Sequence, residues 1–126
     1  IKEDEKQPLS LKTHNLTFLI GKITVYLDDI RIPKDNDFVI ARSFQEAVKF
    51  VQQTGIPNYI SFDHDLGCDE FNNIYPSGYD FAKWLIEVDL DNLYKFPKDF
   101  KFNVHSANPI GKANIERILN NYFSKF

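Results

Sequence analysis

Residues 59–67 read YISFDHDLG, a short apolar run that ends in two aspartates and a histidine. The run comes just after Gly55 and Pro57, and four-residue apolar segments bounded by such turn residues are typical of buried strands. A strand is therefore predicted over Tyr59–Phe62. The two aspartates and the histidine are expected at its carboxyl end.

Three more segments of the chain show strand patterns. In Lys22–Leu27 and Phe100–Val104, apolar and polar side chains alternate, which indicates strands with one buried face. Phe38–Ala41 is a short apolar segment after a loop. Leu16–Ile20, which Gly21 separates from the first of these strands, is expected to add an extra N-terminal strand or to form the first half of one bent strand.

Three amphipathic helices are predicted between and after the strands. The first is expected to be capped by Ser43, with Glu46 at the spacing of a capping box, and to end before Gly55. The last is expected to begin at Pro109. Apolar side chains recur in each with the period of a helix. They are Phe44, Ala47, Val48 and Val51, then Phe81, Ala82, Leu85, Ile86 and Val88, then Ile115, Ile118, Leu119 and Tyr122.

This order of strands and helices predicts the fold class. Strands that alternate with helices favour a parallel sheet, because each parallel connection must return along the whole strand. The right-handedness of such crossovers then restricts the topology. We predict an α/β domain, a three-layer sandwich with about four mainly parallel strands and helices on both faces.

Composition and charge exclude several classes of function. The chain has 126 residues, the size of one domain, and its net charge of −3 does not suit duplex DNA or an anionic membrane surface. No apolar run approaches the roughly 20 residues of a membrane-spanning helix. Cys68 is the single cysteine, which is usual in a reducing compartment, so a cytoplasmic location is expected.

The first residues differ in character from the rest. Residues 1–13 carry many charges and few apolar side chains, so we predict a flexible or peripheral arm there and one domain over 14–126. Because the chain begins with Ile1 and contains no Met, we expect that a segment upstream was removed.

Polar side chains follow three of the predicted strands. Ligands of open α/β sheets bind beyond the carboxyl ends of the strands, so these side chains are candidates for a site. Several carboxylates in one place repel one another unless protons or a divalent cation intervene, and Mg²⁺ prefers carboxylate oxygens. A metal site that binds phosphate is therefore predicted from three clusters, namely Asp28, Asp29 and Arg31, then Asp63, His64 and Asp65, then His105, Ser106 and Asn108.

Each cluster also has a structural interpretation, which is weakest for Asp63, His64 and Asp65, because charged residues seldom follow an apolar strand directly without a partner. Asp28 and Asp29 follow a strand, and aspartates there often bond to nearby backbone in turns. His105 could be a hydrogen-bonded structural histidine, and Ser106 could begin a turn or cap the last helix. Three polar clusters at three strand ends favour the functional interpretation over these.

Four motifs, in this order, resemble those of the cyclic-phosphate processing receiver-like domains. They are YLDDIRIP (26–33), SFDHDLG (61–67), GYD (78–80) and VHSANP (104–109). The resemblance extends from about Ile23 to Ile118. It implies a receiver-like (flavodoxin-like) fold, truncated relative to a full receiver, and a role in processing cyclic phosphate ends or cyclic nucleotides.

The similarity to response-regulator receivers implies roles for single residues. Asp28 and Asp29 match the acidic pair that holds Mg²⁺, Asp63 matches the phosphoacceptor, and Ser106-Ala107 match the hydroxyl residue and the alanine after the fourth strand. A receiver also has a lysine after a fifth strand, for which this sequence shows no counterpart. An ordinary receiver has no histidine at the positions of His64 and His105. These departures favour acid/base chemistry on a bound phosphate over a phosphorylation switch.

The expected function is that of a metal-dependent phosphoesterase acting on a cyclic phosphate. The divalent cation, Mg²⁺ with Mn²⁺ as the alternative, is expected on Asp28, Asp29 and Asp63. His105 is expected to act as general acid or base with His64 or Asp65 as its partner, and Asp63 could form an aspartyl phosphate. Contacts to the phosphate oxygens are expected from Arg31, Ser106 and Asn108.

Two other functions fit the same residues. One is a non-catalytic module that binds a cyclic phosphate or nucleotide, and the other is a signalling domain phosphorylated on Asp63. In each case the charge favours a small phosphate-containing ligand or an RNA end over duplex DNA or a membrane. The sequence leaves a protein partner open.

Overall fold

Four strands and three helices make up the part of the chain that the computed structural model describes, residues 23–34 and 37–125. They are β1 (Thr24–Leu27), β2 (Val39–Ala41), α1 (Phe44–Thr54), β3 (Tyr59–Phe62), α2 (Gly78–Leu90), β4 (Lys101–Val104) and α3 (Pro109–Phe123). This order of elements agrees with the prediction. The expected strand at Leu16–Ile20 and the expected arm over 1–13 lie outside the described residues. None of these helices has the length and apolar character needed to cross a membrane.

The four strands form one parallel sheet in the order β2-β1-β3-β4. Leu27 of β1 pairs with Phe62 of β3, and Phe62 pairs with Val104 of β4, so these three strands end at the same level. The residues that follow them therefore meet at one edge of the sheet. The predicted α/β class with a four-stranded parallel sheet is confirmed.

Side chains close to each helix start stabilise its first turn. Ser43 accepts a hydrogen bond from the N–H of Glu46, as predicted, whereas the Glu46 carboxylate accepts from the N–H of Arg42, one residue earlier than a capping box requires. Ser77 and Asp80 form a complete capping box at α2. At α3 the cap is an asparagine followed by a proline.

The three helices lie side by side, α1 against α2 and α2 against α3. The crossovers from β2 to β3 and from β3 to β4 run the same way across the sheet, and right-handed crossovers in one direction place their helices on one face. The prediction placed helices on both faces of the sheet. The described helices instead form a single layer on one face. The connection from β1 to β2 runs in the opposite direction and has no helix in its described part.

The face of the sheet that the helices cover forms the core. Its buried strand side chains are Val25, Leu27, Val39, Ala41, Ile60, Phe62 and Val104. Phe62 contacts Phe81 of α2 at a ring-centroid distance of 6.1 Å. Successive strand residues point to opposite faces, so Tyr26, Ser61 and Asn103, which form one row across the sheet, point to the other face.

Gly78 in the first turn of α2 packs directly on the end of β3. A Cβ at this position would lie 1.8 Å from the carbonyl oxygen of Asp63, a backbone atom that cannot rotate away. We expect Gly78→Ala to lower the free energy of unfolding by about 3 kcal/mol, measured by urea denaturation. The control is Glu87→Ala, an exposed position of the same helix, which should change the free energy of unfolding by less than about 0.5 kcal/mol. A loss in Gly78→Ala that is no larger than this would contradict the packing argument.

A buried carboxylate, Asp89, connects α2 to α3. It accepts hydrogen bonds from the Tyr122 hydroxyl and from the N–H of Phe96 (3.0 Å), and the Lys95 ammonium lies 3.3 Å away. Burial alone would raise the pKa of Asp89, but these donors outweigh it and hold the pKa below its ordinary value. Burial and the bond to Asp89 raise the pKa of Tyr122 to about 12.

Tyr122→Phe removes the hydroxyl donor from Oδ2 of Asp89. We expect the free energy of unfolding to fall by about 1 to 2 kcal/mol at neutral pH. The difference in free energy of unfolding between the wild type and the variant should decrease as pH rises from about 10 towards about 12. In this range the unfolded chain releases a tyrosine proton that the folded chain retains. Urea denaturation of both proteins from neutral to alkaline pH measures this. A difference that stays constant with pH would contradict the assignment.

Candidate functional site

Asp28, Asp63 and His105 each come directly after the last residue of a strand. These strands end at the same level, and the alternation along each strand sends the three residues to the same side. One ligand atom from each side chain lies within 4.8 Å of the others. The two aspartates are buried and the histidine is partly buried. We refer to these three residues as the rim trio.

Both ring nitrogens of His105 are engaged in hydrogen bonds. Nε2 lies 2.9 Å from Oδ2 of Asp28, and Nδ1 lies 2.7 Å from Oγ of Ser61. The ring also stacks on Tyr26, with 4.4 Å between centroids and 4° between planes. Tyr26 and Ser61 are neighbours in the sheet, so the strand register positions this histidine.

Ser61→Ala would leave Nδ1 of His105 without its partner. We expect about 1 kcal/mol less stability and altered ¹⁵N chemical shifts of the His105 ring, because the hydroxyl helps decide which nitrogen carries the proton. Ser61→Thr keeps a hydroxyl and should restore the shifts. Urea denaturation and ¹⁵N NMR of the imidazole measure the two effects. Ring shifts that are unchanged in the alanine variant would exclude this positioning role.

Asp28 combines a turn with its place in the rim trio. Its Oδ1 accepts hydrogen bonds from the N–H groups of Ile30 (3.0 Å) and Arg31 (2.9 Å), which is the turn arrangement anticipated for this residue. Its Oδ2 faces His105. Burial alone would raise the pKa of Asp28, but these hydrogen bonds hold it below its ordinary value. Asp28 therefore carries a negative charge at neutral pH.

Asp63 is only 6% exposed and lies beside the carboxylate of Asp28. Its Oδ1 accepts a hydrogen bond from the N–H of His64 (2.9 Å), and no Lys or Arg of the described residues forms an ion pair with it. Burial, and then the negative charge of Asp28, raise the pKa of Asp63 above its ordinary value. The arrangement thus favours a proton or a cation next to Asp63.

Two arginines border the rim trio. Nη1 of Arg31 donates to the carbonyl oxygen of His105 (3.0 Å) and lies 3.8 Å from Oδ2 of Asp28, while 45% of its side chain is exposed. Nη1 of Arg42 donates to the carbonyl oxygens of Asp28 (3.1 Å) and Arg31 (2.6 Å). Arg42 therefore holds the turn that carries Arg31, whose remaining N–H groups can reach a ligand.

His64, Asp65 and Asn108 form a second polar group. Nδ1 of His64 lies 2.9 Å from Oδ1 of Asp65, and Nδ2 of Asn108 donates to Oδ2 of Asp65 (3.2 Å). The hydrogen bond with His64 is the main reason that the pKa of Asp65 lies below its ordinary value. Asn108 also caps α3 through the N–H of Gly111, on which the His64 ring packs. His64 therefore pairs with Asp65, and His105 pairs with Asp28.

Besides Arg31, two predicted site residues lie outside both groups, namely Asp29 and Ser106. Oδ2 of Asp29 is 3.2 Å from the point that a Cβ of Gly67 would occupy. Oγ of Ser106 accepts the N–H of Asn108 (3.0 Å) in the turn before α3. The set of carboxylates predicted to hold metal is thus divided, because neighbouring residues point in different directions as the strand ends. Asp28 and Asp63 are gathered with His105, while Asp29 is directed towards Gly67.

Three residues of the site were not predicted from the sequence, namely Tyr26, Ser61 and Arg42. Ser61 and Tyr26 each precede an aspartate of the rim trio by two positions, and this spacing places them on the same face of a strand. That signal could have identified both. Arg42 gives no comparable signal, since its two carbonyl partners are 14 and 11 positions away.

Comparison with known proteins places the chain in a family. The family model of the cyclic-phosphate processing receiver domain matches residues 23–121, which contain the rim trio, the second polar group and both arginines. Searches of curated proteins and of solved structures gave no match. The receiver-like fold expected from the four motifs is confirmed. The chain therefore belongs to the cyclic-phosphate processing receiver domains.

Proposed function

We propose that this domain is a metal-dependent phosphoesterase that opens a cyclic phosphate diester to a monoester. The observation that supports this most directly is the rim trio, in which ligand atoms of two buried carboxylates and one imidazole lie within 4.8 Å of one another. The family supports a cyclic phosphate as the ligand. Arg31, at the border of the trio, supplies positive charge for the phosphate oxygens of this ligand.

The chemistry of the rim trio fits a divalent cation. Asp63 has a raised pKa because it is buried beside Asp28, and a cation held by both would remove this repulsion. Carboxylate oxygens suit Mg²⁺ and Mn²⁺, while the imidazole of His105 as a third ligand favours Mn²⁺. A bound cation would supply positive charge to the phosphate and lower the pKa of an attacking water.

We assign proton transfer to His64. Its Nδ1 is held by Asp65, and Nε2 forms no hydrogen bond with the described residues, so that nitrogen is available to a substrate or a water. His105 is less suitable, because its Nε2, which faces Asp28, would be a ligand of the cation and its Nδ1 is held by Ser61. In this assignment Asn108 positions Asp65, and Arg31 and Ser106 bind the phosphate oxygens.

The test is the release of monoester from a panel of cyclic phosphates. The panel contains 2′,3′-cyclic mononucleotides, 3′,5′-cyclic mononucleotides and a short RNA with a 2′,3′-cyclic end, each with Mg²⁺, with Mn²⁺ and with chelator. We expect turnover of at least one compound with a cation and none with chelator. Turnover that persists in chelator would exclude the role of the metal.

A module that only binds its ligand is the second candidate, and the fully hydrogen-bonded His105 favours it. The same panel separates the two functions when it is followed by thermal unfolding. A compound that raises the melting temperature with a cation present, but is never converted, would identify a sensor. The catalytic role of His64 would then be withdrawn.

A further inference from the structure

A groove of about 740 Å³ lies at the opposite end of β4 from the rim trio. Residues 95–98 and 100–102 form one wall, and Asn120, Tyr122 and Phe123 at the end of α3 form the other. His105 follows the last residue of β4, whereas Lys101 is its first. At about 3.3 Å per residue, the two positions are roughly 13 Å apart. The groove is therefore separate from the candidate active site.

Aromatic rings line the inside of this groove. Phe96 meets Phe100 and Phe123 edge-on, at centroid distances of 4.8 and 4.9 Å. Phe100 lies nearly parallel to Phe102, with 23° between the ring planes. All four side chains are only partly buried, so ring surface remains accessible in the groove. Ring clusters of this kind can accept a further aromatic ring in stacked or edge-on contact.

The border of the groove carries positive charge. Lys98 and Lys101 are exposed, and their side chains form no ion pair or hydrogen bond with the described residues. Lys95 differs, because it is paired with Asp89, the one carboxylate among the lining residues. Within the described residues, neither of these two lysines forms an ion pair, and the carboxylate of Asp99 between them in the sequence bonds to Asn58.

We propose that this groove binds a small ligand that joins an aromatic ring to an anionic group, a role beyond the proposed phosphoesterase. Its volume falls in the range of small-molecule pockets, which are mostly apolar with a few polar groups that fix orientation. The phenylalanine rings contact the ring of the ligand, and Lys98 and Lys101 bind its anion. A ligand that has only the aromatic ring would lack the contacts with the lysines, and one that has only the anionic group would lack the contacts with the phenylalanine rings.

Three probes separate the two contributions. Naphthalene-1-sulfonate carries both the ring and the charge, naphthalene-1-sulfonamide is its neutral counterpart, and methanesulfonate carries the charge alone. Binding is followed by ¹H–¹⁵N NMR of the full chain in chelator, so that a metal at the rim trio does not contribute. We expect the sulfonate to shift the amides of residues 95, 96, 98–102 and 120–123, and to bind roughly five- to tenfold more tightly than the sulfonamide. Methanesulfonate should leave these amides unchanged.

A double variant tests the lysines. Lys98→Gln with Lys101→Gln should weaken sulfonate binding by roughly five- to tenfold and leave sulfonamide binding unchanged. Lys49→Gln with Lys83→Gln, two exposed lysines elsewhere, is the matched control and should have no effect. The spectra also report whether each variant is folded.

Three results would overturn the proposal. They are amide shifts that fall outside the groove, sulfonate binding that survives the Lys98 and Lys101 substitutions, and equal affinity for sulfonate and sulfonamide. The last would mean that the groove docks a purely apolar partner. Because no turnover is measured, none of these results bears on the phosphoesterase activity.

Discussion

Asp63→Asn is expected to lower turnover of a cyclic phosphate strongly and, in the same protein, to stabilise the metal-free fold. The loss of activity should be on the order of 10³-fold, because a metal supplies several kcal/mol to the transition state and about 1.4 kcal/mol corresponds to a factor of ten. The gain in stability follows from the raised pKa of Asp63. At neutral pH its ionised form is disfavoured by burial and by Asp28, and asparagine removes that charge.

The pH dependence gives this prediction a second readout. A carboxyl group whose pKa is raised by folding stabilises the fold below its unfolded pKa, and this contribution disappears as pH rises through the folded value. In chelator, the free energy of unfolding of the variant should therefore increase relative to that of the wild type as pH rises from about 4 to 7. Urea denaturation measures the difference. Asp91→Asn, at an exposed position, is the control and should change neither activity nor stability. A variant that is inactive and also less stable would indicate that Asp63 is structural.

His105→Ala and His64→Ala are expected to lose activity for different reasons. Removing His105 from the rim trio should weaken Mn²⁺ binding by more than about tenfold, because a metal site depends on its ligands and on the groups that orient them. Removing His64 should lower turnover by about 10²- to 10⁴-fold, the usual effect of losing an acid or base. Mn²⁺ affinity should change by less than about twofold in that variant.

Isothermal titration of Mn²⁺ and initial rates with the best substrate separate the two roles. His14→Ala, the third histidine of the chain, is the control, since it belongs to none of the three polar clusters that follow the predicted strands. If His105→Ala binds Mn²⁺ like the wild type and is inactive, His105 is the acid or base that the sequence analysis expected. Its role as a ligand, and the assignment of proton transfer to His64, would then be withdrawn.

Local patterns accounted for most of the elements. The apolar run at Tyr59–Phe62 is a strand with the predicted bounds, and α3 begins at Pro109 as predicted. Such features depend on residues a few positions apart, which the sequence displays directly. The number of helical layers was not accessible in this way. It depends on the strand order β2-β1-β3-β4, and several orders are compatible with the same succession of elements.

The candidate site, too, could be predicted only in part from the sequence. That Asp28, Asp63 and His105 lie at strand ends follows from the sequence, because hydrophobic periodicity marks where each strand stops. Which of the polar side chains meet does not follow from it. Asp29 was expected to hold metal and is directed towards Gly67, since adjacent residues at a strand end need not point the same way.

The sequence by itself therefore determined the types of element, their order and the polar character of one sheet edge. Only the tertiary structure decided that His105 pairs with Asp28 and Ser61, which are 77 and 44 positions away, and that His64 pairs with Asp65. The physical reason is the strand register. It aligns Leu27, Phe62 and Val104, which belong to strands far apart in the sequence, whereas a local pattern shows only which face of each single strand is buried.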